Sequence, residues 1–376
     1  MPFQSRSVMS SRKEFIEQVL RGEINMRRLC RRYGVSPTTG YKWLNRWEEG
    51  DESLADRSRR PLKSPMKTRE EIEGLILDIR ENHPVWGARK IKRRLEDLGE
   101  RNIPSPSTIT EILRRNGRIN DVEAAKHAPW KRFEKDEPME LLQMDFKGHF
   151  PIGTGRCHPL TVLDDHSRFA LGLQACSNEK TEPVRECLRG VFRRYGLPRA
   201  IITDNGSPWA FPGSRALTRL EIWLIRLGIE VKKSGASHPQ TMGKDERLHR
   251  SLKAEVLQGK HFRNIEECQE AFDNWRHVYN YERPHQGIGM EVPAKRFRPS
   301  KIDFPEKLPE IEYSPGDVVR IVRSEGVIRF RGRKYWLGRS LIGLPVAVRP
   351  TTEVGVFEVY FCGQFLLAIN HSQGTP

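Results

Sequence analysis

The sequence predicts a multidomain chain. α-Helical helix-turn-helix modules come first, then an α/β core in which a mixed sheet is flanked by helices, then a small C-terminal β-barrel. Three observations carry this. Two early stretches join capped amphipathic helices through short turns. At Met139 the pattern changes to apolar strands, followed by helix and strand in alternation. Beyond Pro315 the chain becomes a series of short alternating segments separated by turn residues.

The 376 residues suffice for two or three domains with a sizeable core. Lysine and arginine outnumber aspartate and glutamate 65 to 49, a net charge of +16, and the pI is near 9.7. So basic a balance points to a polyanionic partner, most often nucleic acid. No apolar run reaches the roughly 18 residues of a membrane span. Arg6, Arg12 and Lys13 are followed by no apolar core, so no signal peptide is expected. The six cysteines (30, 157, 176, 187, 268 and 362) lie far apart, without CxxC or Cys/His zinc spacing. They read as reduced, packing cysteines of a cytoplasmic, nucleoid-associated protein that uses no zinc.

Residues 1–62 form the first module. Helices are expected within 14–20, from Met26 and over 39–47, with Gly34 in the turn, Ser36 as N-cap and Pro37 in the first turn. Leu29, Val35, Tyr41 and Leu44 are expected core, and Thr38, Thr39 and Lys42 face a major groove. Between Ile24 and Trp47 there are six basic residues (Arg27, Arg28, Arg31, Arg32, Lys42 and Arg46) and no acidic one, which favours DNA over a module that only packs. Residues 63–120 repeat the theme, with helices at 69–82, from Trp86 to near Gly99, and from Pro104 to Gly117. This second module reads either as DNA-contacting or as a helical spacer. Residues 121–138 suit a linker.

The core is expected over 139–300. Strands are predicted at 140–148, 158–165, 168–174, 198–204 and 229–232, and helices at 181–195, 214–227, from about 241, and 265–281. Residues 301–314 form a proline-rich linker. Strands at 318–322, 327–330, 334–337, 346–349, 357–361 and 365–369 make the barrel over 315–376. Arg320, Arg323, Arg329, Arg331, Arg333, Lys334 and Arg339 make it basic, suited to DNA or, alternatively, to packing.

Three acids stand out by context. Asp145 lies inside an apolar strand between Met144 and Phe146, and Asp204 ends another just before Asn205-Gly206. A charge in such a strand is costly unless paired or bound to a cation, and strand ends of open sheets are where ligands bind. Glu246 lies on the helix from about 241. At 100° per residue it shares a face with His249, Arg250 and Lys253, while Leu248, Leu252 and Val256 form the neighbouring apolar stripe. Asp245 faces 100° away, toward the leucines. Carboxylates without cysteine or histidine partners suit Mg²⁺ or Mn²⁺, and two such ions can serve an in-line displacement at phosphorus. Singly, each acid also reads as a strand-edge charge, a turn-former or part of a solvated helix face.

Five motifs then occur in order: Gln143-Met-Asp-Phe-Lys, Thr161-Val-Leu-Asp-Asp-His-Ser-Arg, Ile202-Thr-Asp-Asn-Gly, Ser237-His-Pro-Gln-Thr-Met-Gly-Lys-Asp-Glu-Arg-Leu-His-Arg-Ser-Leu-Lys and Tyr279-Asn-Tyr-Glu-Arg-Pro-His-Gln. Between 140 and 297 the chain resembles insertion-sequence transposases whose catalytic core is like that of retroviral integrases. The resemblance implies an RNase H-like fold and a DDE triad that maps to Asp145, Asp204 and Glu246. The 41 residues between Asp204 and Glu246 exceed the spacing of the best-known members, and the extra length fits 209–220. The zinc-binding N-terminal module of retroviral integrases is absent, and helix-turn-helix modules stand in its place.

The implied reaction is metal-dependent phosphoryl transfer on double-stranded DNA, with Asp145 and Asp204 bridging two ions in the manner of the family and Glu246 holding one. Lys244, Arg247, His249, Arg250 and Lys253 would grip phosphates. His238 would position DNA or a water, or else only shape its loop. Joining two element ends to a target implies a homo-oligomer assembled on DNA. Two other readings stay open: an RNase H-like nuclease or resolvase that cuts without joining, and a transposase-derived regulator that only binds DNA.

Overall fold

The computed structural model describes residues 7–57, 68–119, 134–211, 214, 216–234 and 243–370. The chain divides into two compact units, Met1–Lys67 and Thr68–Pro376. Among the described residues no helix is long and apolar enough to cross a membrane.

The first unit holds α1 (Val8–Leu20), α2 (Met26–Arg32) and α3 (Pro37–Glu48). Each begins on a side-chain cap: Ser7 accepts from the Ser10 N–H, Asn25 from that of Arg27 and Ser36 from that of Thr39. Gly34, at φ +64°, makes the turn between α2 and α3. Phe15, Ile16, Leu29, Cys30, Trp43 and Leu54 form the core. Gly40 lets α3 approach closely, since a Cβ there would meet Cys30 Sγ at 2.6 Å. Tyr41, expected in the core, is instead 52% exposed. Gly40 and Trp43 point inward, and Tyr41 lies about 100° round the helix from Gly40.

The second unit opens with α4 (Glu70–Asn82), α5 (Ala88–Asp97) and α6 (Pro106–Arg115), packed through Ile76, Trp86, Ile91, Leu95, Ile109 and Ile112. The core sheet comes next: β1 (Leu141–Phe146), β2 (Phe150–Ile152), β3 (Gly155–Asp164), β4 (Ala170–Cys176), α7 (Thr181–Tyr195), β5 (Ala200–Thr203), α8 (Arg219–Arg226), β6 (Glu230–Lys233), α9 (Gly243–Leu252), α10 (Ile265–Tyr281) and α11 (Pro293–Arg296). Strand order is β2-β3-β1-β5-β6, with β4 also on β3. β1–β3 and β3–β4 are antiparallel, while β1–β5 and β5–β6 are parallel, so the sheet is mixed. β2 had no counterpart among the expected strands; it has only three residues. α8 starts later than expected because Thr218 and Glu221 form a reciprocal capping box.

Alternation sends side chains to two faces. Leu142, Met144, Leu160 and Val162 pack with Val184, Leu188 and Phe192 of α7 and Leu220 and Leu224 of α8. Leu163 and Leu173 pack on the other side with Leu248 and Leu252 of α9 and Phe272 of α10. By period two, Gln143, Asp145 and Thr161 belong to the α9 side. The first helices of this unit lean on its core: Val278 of α10 packs against their cluster, and Arg94 pairs with Glu282 at 2.6 Å. The 301–314 stretch also lies against the core, with Leu197 N–H donating to Ile302 O at 2.8 Å and Phe304 packed on the α7 side.

The C-terminal region contains β7 (Val318–Ile321), β8 (Val327–Phe330), β9 (Arg333–Trp336), β10 (Pro345–Pro350), β11 (Val356–Phe361) and β12 (Gln364–Asn370). The expected closed barrel is corrected here. The described strands form a four-stranded sheet, β12-β11-β10-β7, and a separate β8–β9 hairpin. β7 is bonded to β10 on one side, and the chain then turns at Arg323–Gly326 into a hairpin that pairs only with itself. The ring of strand pairings therefore does not close.

Candidate active site

The parallel register of β1 and β5 pairs Leu141 with Ala200 and Gln143 with Ile202. The same offset carries Asp145 level with Asp204, one residue past the end of β5. Asp204 is held in its turn by the Gly206 N–H, which donates to Oδ1 at 3.0 Å. Burial, reinforced by the Asp204 charge, pushes the Asp145 carboxyl up to about 7. Among the described residues no lysine or arginine is ion-paired with either acid.

α9 lies across the same face. Its first turn is fixed by Lys244, whose ammonium lies 2.5 Å from an Asp165 carboxylate oxygen, and by the Asp245 N–H, which donates to Gln143 Oε1 at 3.3 Å. Gln143 in turn donates to Asp165 Oδ1 at 2.7 Å. The neighbouring Asp164 caps the β3–β4 turn by accepting from Ser167 and Met139 N–H groups. The Asp-Asp-His-Ser-Arg motif thus builds the corner on which α9 rests.

Asp245 faces inward with the leucines and is fully buried. It also faces Asp145: one ligand atom each from Asp145, Asp245 and His249 lie within 4.8 Å of one another. Burial, then the Asp145 charge, raises the Asp245 carboxyl well above its usual range. Burial also lowers His249 to about 4, so its imidazole is neutral at pH 7. Thr161, opposite Asp145 in the β1–β3 register, bonds to both. None of the three was legible as a group, because their meeting depends on strand register and helix rotation. The signals were the i, i+4 spacing of Asp245 and His249 and the parity of Thr161.

The other expected site residues divide by position. Glu246 has a side chain 71% exposed and accepts from Arg250 at 2.9 Å; it makes no described contact with Asp145 or Asp204. Arg247, Arg250 and Lys253 are exposed beside it. His249 does not share that open face, because its ring turns in to Thr161, and Lys244 is drawn inward by Asp165. In the first unit Arg27, Arg28, Arg31, Arg32, Thr38 and Lys42 are exposed, while Thr39 is half-buried with its hydroxyl 2.9 Å from Ser36 Oγ. Arg46 is buried, bonded to Asp51 and to Ala55 O. His238 lies outside the described residues.

Family models match in chain order. A helix-turn-helix domain covers residues 11–61, and a homeodomain-like domain covers 39–113. Integrase core domain models cover 135–239 and 227–293. The C-terminal domain of IS481 family transposases covers 317–370. The chain is thus similar to insertion-sequence transposases, with helical DNA-binding modules ahead of an integrase core and a transposase C-terminal domain behind it. The insertion element IS476 39.2 kDa protein of Xanthomonas euvesicatoria is 24% identical over 61% of this chain and 66% of its own length. The transposase for IS904 of Lactococcus lactis is 26% identical over 39% of this chain and 56% of its own. The alignments therefore span about half to two thirds of these relatives. A chain of the simian T-cell lymphotropic virus intasome superposes with TM-score 0.38 and 13% identity, over 80% of this chain and 100% of that one.

Proposed function

We propose that the protein is a DNA transposase. It binds the terminal inverted repeats of a mobile element, cleaves the element ends and joins the freed 3′-OH to target DNA by metal-dependent phosphoryl transfer. The observation that carries this reading is the pair of acids Asp145 and Asp204, one on β1 and one just past the end of the parallel neighbour β5, close enough for the Asp204 charge to act on Asp145, inside the integrase core match. Glu246 is the third acid in this reading, supported by its motif and by its place on α9, one residue from the buried Asp245.

The donor set fits a divalent ion. Two carboxylates without a described basic partner offer hard oxygen ligands for Mg²⁺ or Mn²⁺, and a cation would offset the burial and the Asp204 repulsion that together raise Asp145. Asp145, Asp204 and Glu246 would hold one or two such ions, which would supply charge stabilisation at the phosphodiester. The chain's own residues do the remaining work. Arg247, Arg250 and Lys253 grip phosphates beside the acids and keep the scissile bond in line. Arg27, Arg28, Arg31, Arg32, Thr38 and Lys42 engage the duplex, and His238 orients DNA. Two ends require at least two protomers, assembled on DNA.

The test incubates purified protein with labelled element-end DNA and a target plasmid, in Mg²⁺ or in EDTA. Joined products should require the metal and fall by at least about a hundredfold in Asp145→Asn, Asp204→Asn and Glu246→Gln. Shifted but uncut DNA in every lane would replace the transposase with a DNA-binding regulator. Cut products that never join would point to a nuclease or resolvase.

A further inference from the structure

Behind Asp145 lies a buried polar group that the proposed reaction does not use. The Thr161 hydroxyl is 2.9 and 3.0 Å from the two carboxylate oxygens of Asp245 and 2.8 Å from Nε2 of His249. It also lies 3.0 Å from the backbone oxygen of Asp145. A hydroxyl has one proton to donate and two lone pairs to accept with. Its one proton can go to Asp245, to the Asp145 carbonyl or to His249 Nε2, and it can accept from His249 in the Nε2–H tautomer. Asp245 and His249 are one helical turn apart, so both reach the same strand residue. That residue is the cross-strand partner of Asp145.

Burying a carboxylate here costs free energy that an apolar side chain would not incur. What its bonds add is direction. Turning α9 by one residue would break the Thr161 bonds, the Gln143 bond to the Asp245 N–H and the Lys244–Asp165 pair together. Glu246 is the next residue, so its azimuth about the helix is set by the seat of Asp245.

We propose that Thr161, Asp245 and His249 are positioning residues that lock α9 against β1 and β3, fixing Asp145 and Glu246 relative to each other. The proposal rests on the transposase reading and names the device that aligns its acids. Asp245 acts through Thr161 rather than as a ligand of its own.

The experiment measures joining of pre-cleaved element ends by the full chain. It follows kcat, KM for DNA, the Mg²⁺ concentration at half-activity and the melting temperature. Thr161→Val keeps the shape and removes the hydroxyl; Asp245→Leu removes the acceptor; Asp245→Asn keeps one. Thr161→Val and Asp245→Leu should lower kcat by about 10- to 100-fold and raise the Mg²⁺ requirement, with KM for DNA within about twofold. Asp245→Asn should recover most of that loss. The double variant Thr161→Val/Asp245→Leu should be no worse than the poorer single one.

A wild-type rate in Thr161→Val would overturn the lock, and that variant decides the matter if Asp245→Leu does not fold. An Asp245→Asn as inactive as Asp145→Asn would also overturn it, making Asp245 a metal ligand. Asp204→Asn is the separate control. If it joins DNA like wild type, the transposase reading fails; if it is inactive while the lock variants run normally, only the lock fails.

Discussion

Asp145 occupies a strand position where its charge is unwelcome until something positive arrives. Burial and Asp204 hold its carboxyl up at about 7, whereas in an unfolded chain it titrates near ~4. Between those values the folded form keeps a proton that the unfolded form has lost, so folding takes up a proton and is progressively disfavoured as pH rises. Above both values the two forms are equally ionised and the folded one bears the buried charge. Without a divalent ion, the contribution of this group therefore falls as pH rises from about 4 to about 7. Asp145→Asn removes the charge, so in EDTA at pH 8 it should melt higher than wild type by roughly 2–4 °C, the shift that ~1 kcal/mol produces in a domain of this size. The gain should shrink toward pH 5. Adding Mg²⁺ at pH 8 should raise the wild-type melting temperature and leave the variant nearly unmoved. An equal Mg²⁺ shift in both would take Asp145 out of the cation site. These two acids stood out as candidates in the sequence because Asp145 interrupts an apolar run and Asp204 ends one. The inward turn of His249 was not legible, because a helical wheel shows which residues share a face but not which strand residue a face will meet.

At the scale of elements, α9 depends on the turn at its C-terminal end. After Leu252 the backbone widens into a π-helical turn, Lys253–Leu257, which swings Glu255 toward α10. There Glu255 accepts from Trp275 Nε1 at 2.7 Å and from Arg283 Nε at 3.1 Å. Both members of the Glu255–Arg283 pair are only 8% exposed. Arg283 also donates to Ser251 on α9, and Asn280 brackets the backbone of Ala170 with two bonds. The Tyr-Asn-Tyr-Glu-Arg motif is thus a brace that holds α9 and β4 to α10. Removing one partner of a buried pair strands the other, so Glu255→Ala should cost about 3–5 kcal/mol in urea unfolding. Glu255→Ala/Arg283→Met should recover part of it. A single variant within about 0.5 kcal/mol of wild type would mean that the brace carries no weight. Strand and helix positions were readable from periodicity; α10 in particular falls where the apolar spacing puts it. Closure of the C-terminal strands was not readable, since alternation fixes which residues face inward but not whether β7 finds a partner on its second edge.

At the scale of the whole molecule, a net charge of +16 has to be divided between surfaces that can meet a polyanion and basic groups already occupied inside the fold. Composition counts both alike, and only the packing separates them. In the first unit Arg31 and Lys42 are exposed on α2 and α3, whereas Arg46 is committed to Asp51 and Ala55. Each phosphate contact releases condensed counterions, so the slope of log affinity against log salt counts the contacts. Arg31→Ala and Lys42→Ala should each weaken element-end binding across all sequences and reduce that slope by about one, without changing the melting temperature. Arg46→Ala should act differently: it frees Asp51 inside the module and lowers the melting temperature of residues 1–67 before any phosphate contact is lost. Should the slope stay constant in the Arg31→Ala/Lys42→Ala double variant, α2 and α3 would not be the surface that meets DNA. The exposed arginines of the C-terminal sheets, Arg320, Arg329 and Arg331, would then be the next to remove.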